Sequence, residues 1–297
     1  MLVSVIVITY HRNQFLQSTI ASIYAQENIP GPFELIVIDN GGQAVVPPCP
    51  RDDITLRVVN PERNLGVAGG RNLGMRLAQG QFLVFIDDDA VWHDAHDIAR
   101  FIARLEGEPT CGCVAVKVVD AHTGQIDHSL LPAPDKSRLL RSAEPCETPY
   151  FYGCAYAVRA DAIAAVGMYP ERLVYGMEEL DLSLRLVEHG YTIVFDPTIA
   201  VLHYAARSGR DFVGARYWKQ QALNKSRVAW RQLPLPYPLT IGFIWSAAVL
   251  VKTRQPQVVI EIWQTLWKER RLIRAERRVI SPPALRYLRS VGARLLY

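Results

Sequence analysis

Three consecutive carboxylates, Asp87, Asp88 and Asp89, follow an apolar run of five residues at positions 82–86. Such a run is typical of a strand that is buried on both faces of a sheet. Ligands of open α/β sheets bind beyond the carboxyl ends of the strands, so acids at that place indicate a site. Because adjacent carboxylates repel one another and offer only oxygen ligands, they favour a hard cation such as Mg²⁺ or Mn²⁺. The alternative is a solvated acidic turn that caps the next helix.

A second acidic group contains Glu178, Glu179 and Asp181 within four positions. In a helix these residues would crowd the first turn, where carboxylates commonly complement the helix dipole. Three carboxylates in four positions exceed what capping requires, so the group is either a complement to the helix dipole or a second functional group of acids. A helix here would direct three apolar side chains inward: Leu180, Leu184 and Val187.

The elements that must position these acids alternate between strands and helices along the first part of the chain. This order predicts an α/β fold with a parallel sheet and right-handed crossovers. The predicted strands are residues 3–8, 34–38, 56–60, 82–86, 112–119 and 150–158, and the predicted helices are residues 14–26, 71–78, 96–106 and 159–166.

Polar residues follow the first two strands. Thr9, Tyr10 and Arg12 come after the first strand, and Asp39 comes after the second. Parallel strands present their carboxyl ends at one edge, so these turns belong with the aspartate triplet at a single site.

A glycine-rich segment at 64–74 contains Arg71 and Asn72. Its glycines would allow a close backbone approach, and a helix from Arg71 would direct its N-terminus towards the predicted site. A plain loop is the alternative for this segment taken alone.

Two further features flank the second acidic group. Residues 120–149 contain four prolines and no regular pattern, so we interpret them as a mobile loop over the site or as plain surface. A lone histidine, His203, follows the strand that begins at Thr192. A histidine at such a place is either a structural residue or a metal ligand.

Composition limits the class of protein. The 297 residues, with 49% hydrophobic and 21% charged residues, suit one large globular domain or a smaller domain with an appendage. The five cysteines contain no CxxC pair, and the spacing of Cys111 and Cys113 is wrong for zinc. With no signal peptide at the start, we expect reduced thiols and a cytoplasmic protein.

The C-terminal part is basic. Residues 268–297 contain nine Lys or Arg and two Glu, a net charge of +7, whereas the whole chain carries +4 and residues 1–267 therefore −3. A 13-residue apolar run at 239–251 is too short to span a bilayer and suits a core or interfacial helix. Trp263 and Trp267 lie beside basic residues on a predicted helix, a composition that suits a membrane interface.

We therefore expect residues 206–297 to be a helical extension that contacts the inner face of the cell membrane peripherally. The alternative is that the extension packs on the catalytic domain or on a second copy of the chain. The basic residues do not belong to a known nucleic-acid motif, so nucleic acid is not an expected partner.

Four segments in this order resemble the family 2 glycosyltransferases, which are inverting enzymes with the GT-A fold. The similar segments are SVIVITYHR at 4–12, VIDNGG at 37–42, the stretch from Asn64 to Ala90, and YGMEELDLSLRLVEHGY at 175–191 followed by His203. The rhamnosyltransferase-like bacterial branch has the most similar overall look. The resemblance implies a catalytic domain at 1–205, with a nucleotide-sugar half at about 1–110 and an acceptor half at about 111–205.

The resemblance also implies roles for individual residues. Thr9, Tyr10, Arg12 and Asp39 would line the pocket for the base and ribose, and Arg71 and Asn72 would lie near the base or the phosphates. Asp87 and Asp89 match the metal-binding acids of the family's DxD motif, and Asp88 would reach the ribose or the sugar. His203 matches a late histidine that completes the metal shell in some members.

The family's catalytic acid pair falls on Glu178 and Glu179, with Asp181 in the same motif. Glu179 would be the general base, although the family usually has Asp at that position, so the choice between Glu178 and Glu179 stays open. The resemblance thus implies transfer of a sugar from a nucleotide-sugar donor to a glycan or lipid-linked acceptor, with Mn²⁺ or Mg²⁺ as cofactor.

Two rival functions use similar residues. A nucleotidyltransferase also combines an α/β sheet with paired acids, but it usually opens with a glycine-rich phosphate loop, which residues 3–15 lack. A non-catalytic glycosyltransferase-like subunit of a membrane complex would not need both acidic groups.

Overall fold

The computed structural model describes residues 2–205 and 213–295. Within these ranges a central nine-stranded sheet carries helices on both faces, and the last four helices follow the sheet. The strands are β1 (Val3–Thr9), β2 (Phe33–Asp39), β3 (Ile54–Val59), β4 (Phe82–Asp87), β5 (Ala90–Trp92), β6 (Cys111–Asp120), β7 (Cys146–Glu147), β8 (Ala155–Arg159) and β9 (Thr192–His203).

The helices of the sheet-containing part are α1 (Asn13–Tyr24), α2 (Gly66–Leu77), α3 (Asp97–Gly107), α4 (Lys136–Arg141), α5 (Ala160–Val166) and α6 (Glu178–Glu188). The C-terminal helices are α7 (Gly214–Gln232), α8 (Tyr237–Thr253), α9 (Pro256–Ala275) and α10 (Pro282–Ser290). The extension expected at 206–297 is thus helical where it is described, whereas residues 206–212 and 296–297 lie outside the described part. Helix α10 was not predicted.

The strand order is β3-β2-β1-β4-β8-β6-β9-β5, with β7 beside β9. The first four of these strands are parallel, as expected, and β3 is an edge strand. Strand β8 instead runs antiparallel to both β4 and β6, so the second half of the sheet is mixed. The reason is that the long connection 121–154 stays at the edge where β6 ends, and the chain must therefore run back through the sheet.

Two apolar clusters cover the two faces of the sheet. One is formed with α1 and α3, and the other with α2, α5 and α6. Along β1, Val5 and Val7 belong to the first cluster, and Ile6 belongs to the second. Alternate side chains of one strand thus enter opposite cores, which explains why the strand sequences are continuous apolar runs.

Helix α2 corrects the interpretation of the glycine-rich segment. The helix begins at Gly66 and not at Arg71, so the glycines form its first turns and are not part of a turn or loop. A Cβ on Gly74 would lie 2.5 Å from the Ile6 side chain of β1. The glycines therefore let the helix lie directly against the strand.

Helix α6 is apolar on two sides, which differs from the single inward face expected at Leu180, Leu184 and Val187. Leu182 and Leu186 pack into the sheet core, whereas Leu184 and Val187 pack against the C-terminal helices. The helix therefore lies between the sheet and the extension.

Asp181 fixes this arrangement by polar contacts. Its carboxylate accepts hydrogen bonds from Arg185 of the same helix at 2.9 Å, from Gln232 of α7 at 2.6 Å, and from Arg231 of α7. Asp181 is fully buried. The packing of α7 on α6 thus depends on a buried ion-pair cluster.

We expect Asp181→Asn to lower the free energy of unfolding by about 3 kcal/mol, because the partly buried guanidinium group of Arg185 loses its counter-charge and that of Arg231 keeps only Glu276. Urea unfolding followed by circular dichroism measures the change. Asp52→Asn is the control, since Asp52 is exposed. An equal stability of the two variants would contradict the role given to Asp181.

Candidate active site

A cavity of about 1370 Å³ lies at the carboxyl edge of the parallel strands. Its walls come from the ends of β1 and β4, from the connection 121–154, from the start of α6 and from the C-terminal helices. The aspartate triplet lines it, and so do Glu178 and Glu179 of the second acidic group. The connection 121–154 therefore forms part of the wall and is not simply surface.

The turn after β1 holds Asp88. Thr9 donates its hydroxyl hydrogen bond to Asp88 at 2.7 Å, and Arg12 donates to Asp88 at 2.9 Å and to Asp89 at 3.2 Å. The parallel pairing of β1 with β4 aligns Ile8 with Asp87, which brings the two strand ends together. Asp88 is buried and bonded within the protein but still lines the cavity, so its role towards a ribose or a sugar stays a prediction.

The pairing of β5 with β9 brings His203 to the triplet. Ala90 lies opposite His203 in this antiparallel pair, and the His203 Nε2 atom is 3.4 Å from an Asp89 carboxylate oxygen. His203 is distant in sequence but adjacent in space because β5 follows the triplet directly.

Ligand atoms of Asp87, Cys154 and His203 all lie within 4.8 Å of one another. Carboxylate oxygen and imidazole nitrogen together suit a divalent transition metal such as Mn²⁺. The residues present therefore fit a cation site, and the Cys154 thiol is a member of the group that the sequence did not predict.

Burial raises the pKa of Asp87 to about 7, and the neighbouring Asp89 contributes to the rise. Burial also raises the pKa of Asp88, against the opposing effect of Arg12. Negative charge is therefore costly at this edge, and a bound cation would offset the cost.

Arg71 connects the two acidic groups. Its guanidinium is buried and lies 3.6 Å from Asp87, 3.2 Å from Glu178 and 3.2 Å from Glu179. It also donates a hydrogen bond to the Gly153 carbonyl oxygen at 2.9 Å. Sequence reasoning placed Arg71 near the base or the phosphates, but the structure places it between the acids.

Gly153 makes this contact possible. A Cβ at position 153 would lie 2.1 Å from a Glu179 carboxylate oxygen and 2.3 Å from an Arg71 guanidinium nitrogen. A glycine inside an apolar run often marks a close approach of another group, and that was the available signal for this residue. The predicted strand 150–158 begins only at Ala155 because the preceding residues form the cavity wall.

Glu178 and Glu179 differ in their surroundings. Glu178 is buried, one of its carboxylate oxygens has no hydrogen-bond partner, and burial with the neighbouring Glu179 raises its pKa to about 8. The Glu179 side chain is 17% exposed and faces the cavity. A carboxyl group that is protonated near neutral pH cannot accept a proton, so the geometry favours Glu179 over Glu178 as a base.

Three predicted site residues do not line the cavity. Asp39 accepts backbone hydrogen bonds from Gly41 at 3.0 Å and Ala44 at 2.7 Å, so it closes its own turn. Asn72 is bonded to the backbone of Tyr169 through both amide atoms. Asp181 lies in the cluster between α6 and α7, so the structure assigns it a packing role and not the expected catalytic one.

Several cavity residues were missed by sequence reasoning. Tyr10 lines the cavity as expected, but so do side chains of the C-terminal helices. The missed residues of the extension include Arg216, Tyr217, Gln221, Lys225, Trp245 and Arg294. No local motif marks them, because their position follows from the packing of α7 on α6.

The family model described as "Glycosyl transferase family 2" matches residues 4–167, which is more than half of the chain. The chain belongs to this family. The match ends before the second acidic group, so it does not itself cover Glu178 and Glu179.

Two similar proteins are glycosyltransferases by name. Glycosyltransferase YwdF of Bacillus subtilis is 31% identical over 36% of this chain and 39% of its own length. Pre-mycofactocin glycosyltransferase of Mycobacterium tuberculosis is 26% identical over 62% of this chain and 40% of its own length. The chain thus spans about 40% of the length of these relatives.

A solved mannosyltransferase from Pyrobaculum calidifontis, in complex with GDP-Man and Mn²⁺, has a similar fold. The TM-score is 0.58 at 22% identity, over 97% of this chain and 78% of that one. The predicted GT-A fold is confirmed, and so is the predicted family.

We expect Glu178→Gln to flatten the dependence of stability on pH in the metal-free protein. The pKa of Glu178 is about 8 in the folded state and 4.5 ordinarily. Between these two pH values the native state therefore binds more protons than the unfolded state. The free energy of unfolding therefore falls as pH rises through this window, by at most about 1.4 kcal/mol per pH unit.

Urea unfolding at pH 5, 6, 7 and 8 in the presence of a chelator measures the slope for both proteins. Glu106→Gln, at an exposed position on α3, is the matched control and should keep the wild-type slope. If Glu178→Gln also keeps the wild-type slope, Glu178 is ionised at neutral pH in the folded protein.

Proposed function

We propose that the protein is a metal-dependent inverting glycosyltransferase. It moves a sugar from a nucleotide-diphosphate donor to a hydroxyl group of a glycan or lipid-linked acceptor, in the synthesis of cell-surface polysaccharide. The observation that carries the proposal is the shared cavity, in which a cation-binding group and a carboxylate base stand on either side of Arg71.

Asp87, Asp89 and His203 are the residues that would hold the cation, with Mn²⁺ preferred over Mg²⁺ because of the imidazole. When bound there, the cation would neutralise the charge that develops on the leaving diphosphate. The similar mannosyltransferase was solved with GDP-Man and Mn²⁺ together, which supports this assignment. Tyr10 and Arg12 at the end of β1 are the residues proposed to contact the nucleotide.

Glu179 is the proposed general base. Its carboxylate accepts the proton of the acceptor hydroxyl as that oxygen bonds to the anomeric carbon. The bond from the anomeric carbon to the donor diphosphate breaks in the same step, and its electron pair leaves with the diphosphate. One displacement inverts the configuration at carbon, and no covalent nucleophile is required.

Arg71 positions this base. It shares one guanidinium nitrogen between Glu178 and Glu179, and it is itself held by the Gly153 carbonyl oxygen. Because Glu178 is buried and its pKa is raised, the second carboxylate of the pair stays available to accept a proton. The rival nucleotidyltransferase is disfavoured by the family match, and a non-catalytic subunit would not need this arrangement.

We expect Glu179→Gln to reduce transfer by at least about a hundredfold, because the amide cannot accept the proton. Donor binding should be unchanged, since the cation group is intact. A thermal-shift screen of UDP-, GDP- and dTDP-sugars with Mn²⁺ and Mg²⁺ first identifies the donor, because binding to the folded state raises its stability. Transfer and donor binding are then measured on the variant.

Glu106→Gln is the control and should keep full activity. Unchanged turnover in Glu179→Gln would show that another residue is the general base. Loss of donor binding together with transfer would indicate a structural effect through Arg71, and Glu179→Asp should then restore both in part.

We further propose that α8 and α9 contact an anionic membrane surface. In the described residues no helix is long and apolar enough to cross a bilayer. Phe243 and Val251 of α8 are 66% and 74% exposed, and Trp267 of α9 is 68% exposed. Arg270 stacks on Trp267 with its guanidinium 4.3 Å from the ring centroid, a pairing of aromatic and basic groups that suits the headgroup region.

We expect the protein to float with vesicles that contain phosphatidylglycerol at low salt, and to dissociate as salt is raised. The double substitution Phe243→Ser with Val251→Ser should weaken this binding by at least about tenfold, because it removes apolar contact area. Val45→Ser, at an exposed apolar position outside the extension, is the control. An intact chain that does not bind anionic vesicles would disprove the membrane contact.

A further inference from the structure

The extension contributes a basic and apolar section to the wall of the cavity. Among the described residues of the extension that line it, the charged ones are all basic, namely Arg216, Lys225 and Arg294. The remaining lining residues of the extension include Trp245, Leu288 and Leu295. A positive charge set among apolar side chains favours an amphiphilic anion as the ligand.

The position of Lys225 is fixed by its neighbour on α7. Asn224 donates hydrogen bonds to the carbonyl oxygens of Tyr175 and Gly176 at 3.1 and 2.9 Å. These residues directly precede Glu178, where α6 begins. Asn224 thus ties this part of α7 to the segment that leads into α6, and Lys225 lines the same cavity as the proposed base.

Lys225 makes no hydrogen bond or ion pair within the described part of the chain, in contrast to the cavity acids. Asp87, Glu178 and Glu179 have Arg71 as a partner. Burial lowers the pKa of Lys225 to about 8. A sheltered ammonium group without a counter-charge is costly to the folded protein, and a bound anion would remove that cost.

Apolar side chains of the extension and of α6 line the same cavity as Lys225. Leu184 of α6 and Leu288 of α10 belong to one buried cluster, and Trp245 of α8 packs against it. All three also line the cavity. A ligand whose anionic group pairs with Lys225 would therefore place an adjoining hydrocarbon segment on this wall.

We propose that Lys225 binds an anionic group, a phosphate or a carboxylate, on an amphiphilic acceptor. This inference rests on the proposed function, and it specifies the acceptor chemistry of the same cavity. The ammonium of Lys225 pairs with the anion, and the apolar wall contacts the hydrocarbon part. The acceptor hydroxyl is thereby directed towards Glu179.

Isothermal titration of the full chain with octyl phosphate, below its critical micelle concentration, tests the proposal. Octanol and inorganic phosphate are the probes that each lack one half of the ligand. Wild-type protein should bind octyl phosphate at least about tenfold more tightly than either probe, since a charge-assisted bond and apolar contact both contribute. Octyl glucuronide carries a carboxylate, whereas octyl glucoside is neutral. Tighter binding of octyl glucuronide would show that the site accepts a carboxylate, and equal binding of the two would show that it requires a phosphate.

Lys225→Gln should weaken octyl phosphate binding by at least about tenfold, and Lys225→Arg should retain most of it. Lys219→Gln, on the same helix but paired with Glu261 outside the cavity, is the control and should bind like wild type. Mn²⁺–UDP and Mn²⁺–GDP are titrated into the same proteins. Nucleotide affinity should not change in Lys225→Gln.

Equal binding of octyl phosphate by wild type and Lys225→Gln would overturn the inference. So would a wild-type protein that binds the Mn²⁺–nucleotide but not octyl phosphate, while the proposed function would stand. A weaker nucleotide affinity in Lys225→Gln would assign the lysine to the donor diphosphate and would also overturn the acceptor role. Failure to bind any of the UDP-, GDP- and dTDP-sugars in the thermal-shift screen would count against the proposed function itself.

Discussion

The structure of the site depends on one buried guanidinium. Arg71 faces Asp87, Glu178 and Glu179, and it is anchored by the Gly153 carbonyl oxygen. The acids come from two different elements, the end of β4 and the start of α6, and would repel one another without it. Their mutual position is therefore set by a single side chain on α2, and the glycines of α2 allow that helix to lie close enough to β1 for Arg71 to reach them.

The C-terminal helices are part of the site and not an appendage to it. Asp181 binds α7 to α6 on the side that faces away from the cavity, and α7 then supplies cavity residues such as Gln221 and Lys225. The same helix that presents the proposed base thus also positions the part of the wall that α7 contributes. Under the proposed function, acceptor binding and the packing of the extension therefore depend on one interface.

The sequence was sufficient for features that are local. The apolar run before Asp87 and the acids at the start of α6 depend on short patterns, and both lie where they were expected. It was insufficient where contacts join distant segments. The sequence alone indicates a ligand-binding role for Arg71, and only the fold shows that acids from two elements contact it. The sequence likewise indicates a catalytic role for Asp181, and only the fold shows its contacts with α7. Leu182 and Leu184 already mark two apolar sides of α6 in the sequence, whereas Leu180, Leu184 and Val187 taken alone predict a single inward face.

The charge balance around Arg12 and Arg71 suggests how the two acidic groups are coupled. In this part of the cavity five carboxylates, those of Asp87, Asp88, Asp89, Glu178 and Glu179, pair with only two guanidinium groups, those of Arg12 and Arg71. Burial raises the pKa of Asp87 and Glu178, so both carboxyl groups are protonated for part of the time near neutral pH. This protonation removes part of the excess negative charge. Under the proposed function, a cation at Asp87 would displace that proton and would lower the cost of placing a donor diphosphate beside these acids. Cation binding and donor binding would then be coupled at this edge of the sheet.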